Sequence, residues 1–69
     1  MNIREAVIRA QNEGKYIYRE SDMEHSPTIN ILPTNTIDCC LLVDDESNEV
    51  GKRWNPTAND LIAIDWEVR

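Results

Sequence analysis

The side chains in this sequence that could do chemistry are few, and their spacing does not suit catalysis. The one histidine, His25, has no cysteine or serine at a spacing that would pair base with nucleophile, and it falls in a polar stretch. Only Gly14 and Gly51 are present, too few for a glycine-rich phosphate cradle, and neither G-x-S-x-G nor H-E-x-x-H occurs. Asp44 and Asp45 are paired carboxylates, but they fall in a run that reads as an exposed turn, without the burial that acid–base work draws on. The expectation is a protein that is not an enzyme and carries no cofactor.

Metal chemistry is also poorly supplied. A structural zinc site needs four ligands, usually in paired spacings, against one histidine and the neighbours Cys39 and Cys40 here. On a strand those two thiols face opposite ways and cannot form a disulfide with each other. The acidic run of Asp44, Asp45, Glu46 and Glu49 lacks the central glycine and terminal glutamate spacing of a calcium loop, so it reads as a solvated hairpin turn. No metal is expected.

Aromatic and cationic residues remain, standing near the ends of the predicted elements: Tyr16, Tyr18, Arg19, Lys52, Arg53, Trp54 and Trp66. Such a set suits stacking of a base and pairing with phosphate. Trp66 reads as core. Trp54, next to Lys52 and Arg53, fits either core or ligand face.

The elements that must position these residues form one domain over residues 1–69. Asn2 and Glu5 make a capping pattern in which Glu5 reaches back. Ile3, Ala6, Val7 and Ala10 then place an apolar stripe on one helix face, and Gly14 ends the helix. Residues 15–19 alternate as a strand, with Tyr16 and Tyr18 on one face and Ile17 and Arg19 on the other. Residues 20–27 form a polar loop, 28–32 a second strand, 33–36 a turn, 37–43 a central strand and 50–54 a further one. Thr57 and Asp60 form a capping box behind Pro56, opening a short helix with Leu61, Ile62 and Ile64. Trp66-Glu67-Val68 closes as a strand. The predicted fold is α+β: an N-terminal helix, a small antiparallel sheet of about five short strands, and a short C-terminal helix before the last strand.

Thirteen acidic residues face seven basic ones, a net charge of −6, which disfavours duplex nucleic acid and anionic membranes as partners. No stretch approaches the roughly 18 apolar residues of a membrane span. Two free thiols and no export signal predict the cytoplasm. A chain this short buries only about 60% of its unfolded surface, and without disulfide or metal a partner subunit is the expected reinforcement.

The opening helix ending Glu13-Gly14-Lys15, the strand reaching Arg19, and the tail from Trp54 to Val68 resemble the Thoeris anti-defence proteins of the second type. The tail carries the resemblance: W-x-P-[ST]-x-x-D-[LM]-x-A-x-D-W is matched at every fixed position by Trp54, Pro56, Thr57, Asp60, Leu61, Ala63, Asp65 and Trp66. About half the chain is covered. The resemblance implies a phage or prophage protein that sequesters cyclic ADP-ribose-type or cyclic oligonucleotide signals without turnover. It also implies a homo-oligomer, tetramer or dimer, with pockets between subunits. On that reading Arg19 and Arg53 take phosphates, Trp54 takes a base or ribose face, and Asn55, Thr57 and Asp60 meet polar ligand edges, beside the capping role already assigned to Thr57 and Asp60. The chain departs from the family after Arg19, where a K-G-W-like turn is replaced by Glu20-Ser21-Asp22. The alternative is a protein–protein module that docks the acidic loop 44–49 on a basic surface.

Overall fold

The computed structural model describes residues 1–25, 27–35, 40–44, 46 and 49–69. Expectations for Ser26, Thr36, Ile37, Asp38, Cys39, Asp45, Ser47 and Asn48 lie outside the described residues. The chain runs α1 (Ile3–Glu13), β1 (Ile17–Arg19), a 3-10 turn (Glu20–Asp22), β2 (Ile29–Pro33), β3 (Cys40–Asp44), β4 (Glu49–Arg53), α2 (Ala58–Ile62) and β5 (Trp66–Val68). The architecture is α+β, with a leading helix, an antiparallel sheet and a short second helix ahead of the last strand.

Helix α1 forms where the sequence places it. The Asn2 side chain accepts from the Glu5 backbone N–H at 2.9 Å, satisfying one orphan donor of the first turn. Glu5 does not reach the Asn2 backbone as a full capping box would; it accepts from the Asn2 side-chain amide instead. Ala6 and Ala10 are fully buried, and Ile3 and Val7 pack at the edge of the core. Gly14 closes the helix at φ 66, and its N–H donates to the Ala10 carbonyl. A β-carbon at Gly14 would meet no atom within 4 Å, so only the left-handed backbone opposes substitution. Gly14→Ala is therefore expected to cost about 1 kcal/mol, read as a lower urea midpoint at unchanged slope.

The strands lie in the order β4-β3-β2-β1-β5, all neighbours antiparallel. The most apolar segment, expected as a central strand, supplies β3, which is paired on both sides, with β2 and β4. Pro33, expected in a turn, is the last residue of β2, where its missing N–H falls at a strand end. Ile64 lies beyond α2, which ends at Ile62, and stays 80% exposed.

Register decides which residues share the covered face. Ile17 stands opposite both Ile31 and Val68, Ile31 opposite Leu42, and Arg19 opposite Trp66. Opposed residues project to the same side, so this one face carries the apolar row and also delivers Arg19 and Trp66. Ala6, Ala10, Ile17, Ile31, Cys40 and Trp66 form the buried cluster, with Leu42, Trp54, Ala63 and Val68 packed around it. Cys40 is buried in this cluster.

Candidate functional site

The geometry of the tail comes from how Asp60, Asp65 and Trp66 are tied to β1. Thr57 caps α2 by accepting from the Asp60 N–H at 3.2 Å. The Asp60 carboxylate in turn accepts from the Thr57 N–H at 2.8 Å, completing the predicted box. The other Asp60 oxygen accepts from Arg19 Nη1 at 3.1 Å. Arg19 Nε donates to Asp65 at 3.0 Å, and the second Asp65 oxygen takes the Ser21 backbone N–H at 3.0 Å. The Asp65 carbonyl also accepts from the Glu20 N–H. The corner Arg19-Glu20-Ser21 is thus fastened to one aspartate by three separate hydrogen bonds.

These contacts act on protonation. The Ser21 N–H first, then the Arg19 guanidinium, bring the Asp65 carboxyl down to about 2 from its ordinary 3.8. Burial pushes Asp60 up, but the Thr57 N–H and Arg19 outweigh it, and Asp60 titrates below its usual value. Arg19 is shifted upward, chiefly by Asp65. Its side chain is 20% exposed, against 19% for Asp60 and 28% for Asp65, so the cluster is screened only in part.

A pocket of about 130 Å³ opens beside this cluster, lined by Tyr18, Arg19, Asp22, Met23, Ile29, Ile31, Leu42 and Trp54. Trp54 is held there from two sides. Its N–H donates to the Cys40 carbonyl at 2.7 Å, and its ring meets Trp66 edge to face, centroids 5.6 Å apart. Trp66 is 1% exposed and donates its indole N–H to the Asp60 carbonyl at 2.8 Å. Trp66 is therefore core, as its sequence context indicated, and Trp54 serves core and pocket together.

Of the six residues expected to bind a ligand, the structure brings two, Arg19 and Trp54, to this pocket. Arg19 arrives already engaged by two carboxylates. Thr57 and Asp60 are occupied in the cap, Asp60 also in the ion pair. Arg53 and Asn55 are exposed on the chain either side of Trp54, and neither is among the described lining residues. Asp65 was not among the six, although its fixed place in the tail motif was a signal. Asp22 was not among them either; it belongs to the turn in which the chain departs from the family pattern, and it lines the pocket.

On the far side of the sheet, Arg69 stacks over the Tyr18 ring at 4.4 Å and donates to the Asn30 side-chain oxygen and the Pro27 carbonyl. Asn30 is wholly buried inside an otherwise apolar strand, and its amide nitrogen has no partner among the described residues. A second, open trough of about 530 Å³ runs between the end of α1 and the end of β2, lined by Ala10, Gln11, Gly14, Lys15, Leu32, Pro33, Thr34 and Asn35. No group of three or more His, Cys, Asp or Glu among the described residues is placed to hold a metal ion. No helix among them is long and apolar enough to cross a membrane.

Fold and site together define a small α+β domain with a ring-sized pocket, walled in part by Tyr18 and Trp54, beside a corner locked by charge. The chain belongs to the Thoeris anti-defense 2-like (Tad2-like) family, whose sequence model matches residues 1–69, the full length. No curated protein and no solved structure gives a significant match.

Proposed function

We propose that this chain is a non-enzymatic sponge that sequesters a cyclic ADP-ribose-type or cyclic oligonucleotide immune signal in the host cytoplasm. The observation that carries the reading is the pocket at Trp54, whose walls are mostly apolar or aromatic and whose volume fits a single ring. Sites for whole ligands of this class run to roughly 300–1,000 Å³, so one chain offers only part of a site. A homo-oligomer, dimer or tetramer, would supply the remaining wall, in line with a core too small to be strongly stable alone. Mass action then does the work: tight, stoichiometric binding with no turnover. Arg53 and Asn55 stand exposed on either side of Trp54, where they would meet phosphates and polar edges beyond the pocket, while Arg19 acts from its ion pairs.

The test is thermal unfolding with a panel of cyclic ADP-ribose isomers and cyclic dinucleotides, followed by recovery of the bound compound after denaturation. A ligand at about 100 times its dissociation constant adds roughly 2.7 kcal/mol per site, several degrees for so small a domain. The compound is expected back intact. Trp54→Ala is expected to weaken binding about 30-fold or more by removing the stacking face, measured on protein whose far-UV circular dichroism spectrum shows the fold intact. Unchanged affinity in that variant would remove the pocket from consideration.

A second reading has one observation in its favour. The β3–β4 register sets Asp44 opposite Glu49, two acidic positions facing each other at the mouth of the hairpin. Two acids at paired positions would complement a basic protein surface. Docking through loop 44–49 would survive Trp54→Ala, which separates the two readings.

A further inference from the structure

Three large aliphatic side chains stand in solvent close together along the chain. Leu61 is 52% exposed, Ile62 76% and Ile64 80%, together about two whole aliphatic side chains left in water. No residue of α2 is buried, so the apolar side chains of this helix do not serve the chain's own core. A single apolar residue at a surface is ordinary, but a group of them marks a contact.

The ground around the group is uncharged. Every other exposed residue from 55 to 64 is neutral, in a chain where 29% of residues are charged. The two acids that bracket the group, Asp60 and Asp65, are both held by Arg19, at 3.1 and 3.0 Å. Other exposed segments carry charge, as at Arg4 and Glu5 on α1 and at Glu20, Asp22 and Glu24 after β1. The centres of protein interfaces are depleted in charged residues, and this stretch has that composition.

The occupant these features fit is a second copy of the chain. Across a two-fold axis a residue meets its own counterpart, so an unpaired charge near the axis repels itself. Two molecules of net charge −6 meet at least cost where neither presents a charge. Aliphatic groups meet their own kind there, and the exposed Asn59 amide, donor and acceptor at once, can pair with its counterpart. A strongly charged partner protein would find no opposite charge to meet. A stable dimer takes roughly 800 Å² from each partner, about a sixth of this chain's 4852 Å². Leu61, Ile62 and Ile64 give such an area its apolar centre, and the neutral polar residues of 55–59 give it a rim.

The same stretch runs on from the pocket. It follows directly after Trp54, and Arg19, a second pocket wall, holds the acid at each end of the aliphatic group. We propose that residues 55–64 are the surface through which two copies of this chain associate, and that the copy seated there supplies the wall the Trp54 pocket lacks. The second half rests on that pocket being the ligand site; the first half does not.

Sedimentation velocity of the intact protein over about a hundredfold range of concentration tests the first half. Wild type is expected to associate. The double variants Ile62→Lys/Ile64→Lys and Ile62→Glu/Ile64→Glu are each expected to weaken association about a hundredfold or more. Both side chains are exposed, so both variants are expected to keep the wild-type circular dichroism spectrum. Mixing the two variants is expected to restore association, because lysine then meets glutamate across the contact. Wild type that stays monomeric, double variants that associate as wild type does, or a mixture that stays monomeric each overturns the proposal. Thermal unfolding with the cyclic nucleotide panel, at matched protein concentration, reads the second half. A compound that stabilises wild type is expected to shift each monomeric variant far less, and the mixture as much as wild type. An equal shift in the monomeric variants overturns the pocket-completing role and leaves the sponge reading standing. No shift of wild type by any compound overturns the sponge reading and the pocket-completing role together, while sedimentation still decides the surface.

Discussion

Replacing Trp66 with alanine is expected to leave the chain largely unfolded at room temperature. Trp66 is the largest of the fully buried side chains, 1% exposed, and touches both layers of the molecule through β5 and the core cluster. Truncating a buried tryptophan costs about 3–5 kcal/mol, by lost transfer energy and the cavity left behind. A single core in a domain this small supplies only about 3–5 kcal/mol in total, so the loss is comparable with the whole. Two further contacts go with the ring. The Asp60 carbonyl in α2 loses its indole donor at 2.8 Å, and Trp54 loses the edge-to-face neighbour that fixes it. Urea unfolding followed by circular dichroism reads the result: little or no folded baseline for Trp66→Ala. Trp66→Phe keeps a ring without the N–H and is expected to fold with a loss of about 1–2 kcal/mol. A cooperative transition for the alanine variant within about 1 kcal/mol of wild type would show that β5 does not organise the core.

The parts of this fold that were legible in the sequence are those in which local chemistry and tertiary packing agree. Asn2, the Ala6 and Ala10 stripe and Gly14 define a helix by capping, period and left-handed closure, and each does so in the structure. Thr57 and Asp60 make a box whose geometry is local, so Trp66 follows in place. Strand order was not legible, because apolarity reports burial and not which strands are neighbours. The apolar run supplies the interior strand β3, and beside it β2 carries the wholly buried Asn30. Nothing in a single sequence shows that Arg69 would come to satisfy the Asn30 oxygen from 39 residues away. The same limit governs the site. Arg19 and Trp54 were identified by side-chain type, and the pocket does hold both. The partnership of Arg19 with Asp60 and Asp65 depends on pairing β1 with β5, across separations of 41 and 46 residues, and it reverses the role that a lone arginine suggests.

That partnership makes Arg19→Met the variant with the next largest expected effect, a loss of roughly 2 kcal/mol near neutral pH. Methionine keeps most of the apolar stem, so the loss reports the guanidinium. Removing one partner of a buried pair costs about 3–5 kcal/mol, and the partial exposure of all three groups scales that down. Two carboxylates would be left facing each other with no cation between them. The acid limb of the stability curve distinguishes charge from packing. In wild type the Asp65 carboxyl titrates at about 2, below its ordinary 3.8, so its stabilising contribution is complete above about pH 4 and is lost as pH falls through about 2. Asp60 is depressed too and contributes with the same sign. Without Arg19, Asp65 keeps the Ser21 N–H and Asp60 keeps the Thr57 N–H, so both remain hydrogen-bonded while their folded-state values rise toward ordinary ones. The variant should therefore lose less stability than wild type between about pH 4 and pH 2. Urea midpoints measured for both proteins across that range are expected to converge as the carboxylates protonate. A gap that stays constant with pH would assign the loss to the packing of the arginine stem. The tail motif would then be held by its helix cap and Trp66, with the ion pairs contributing little.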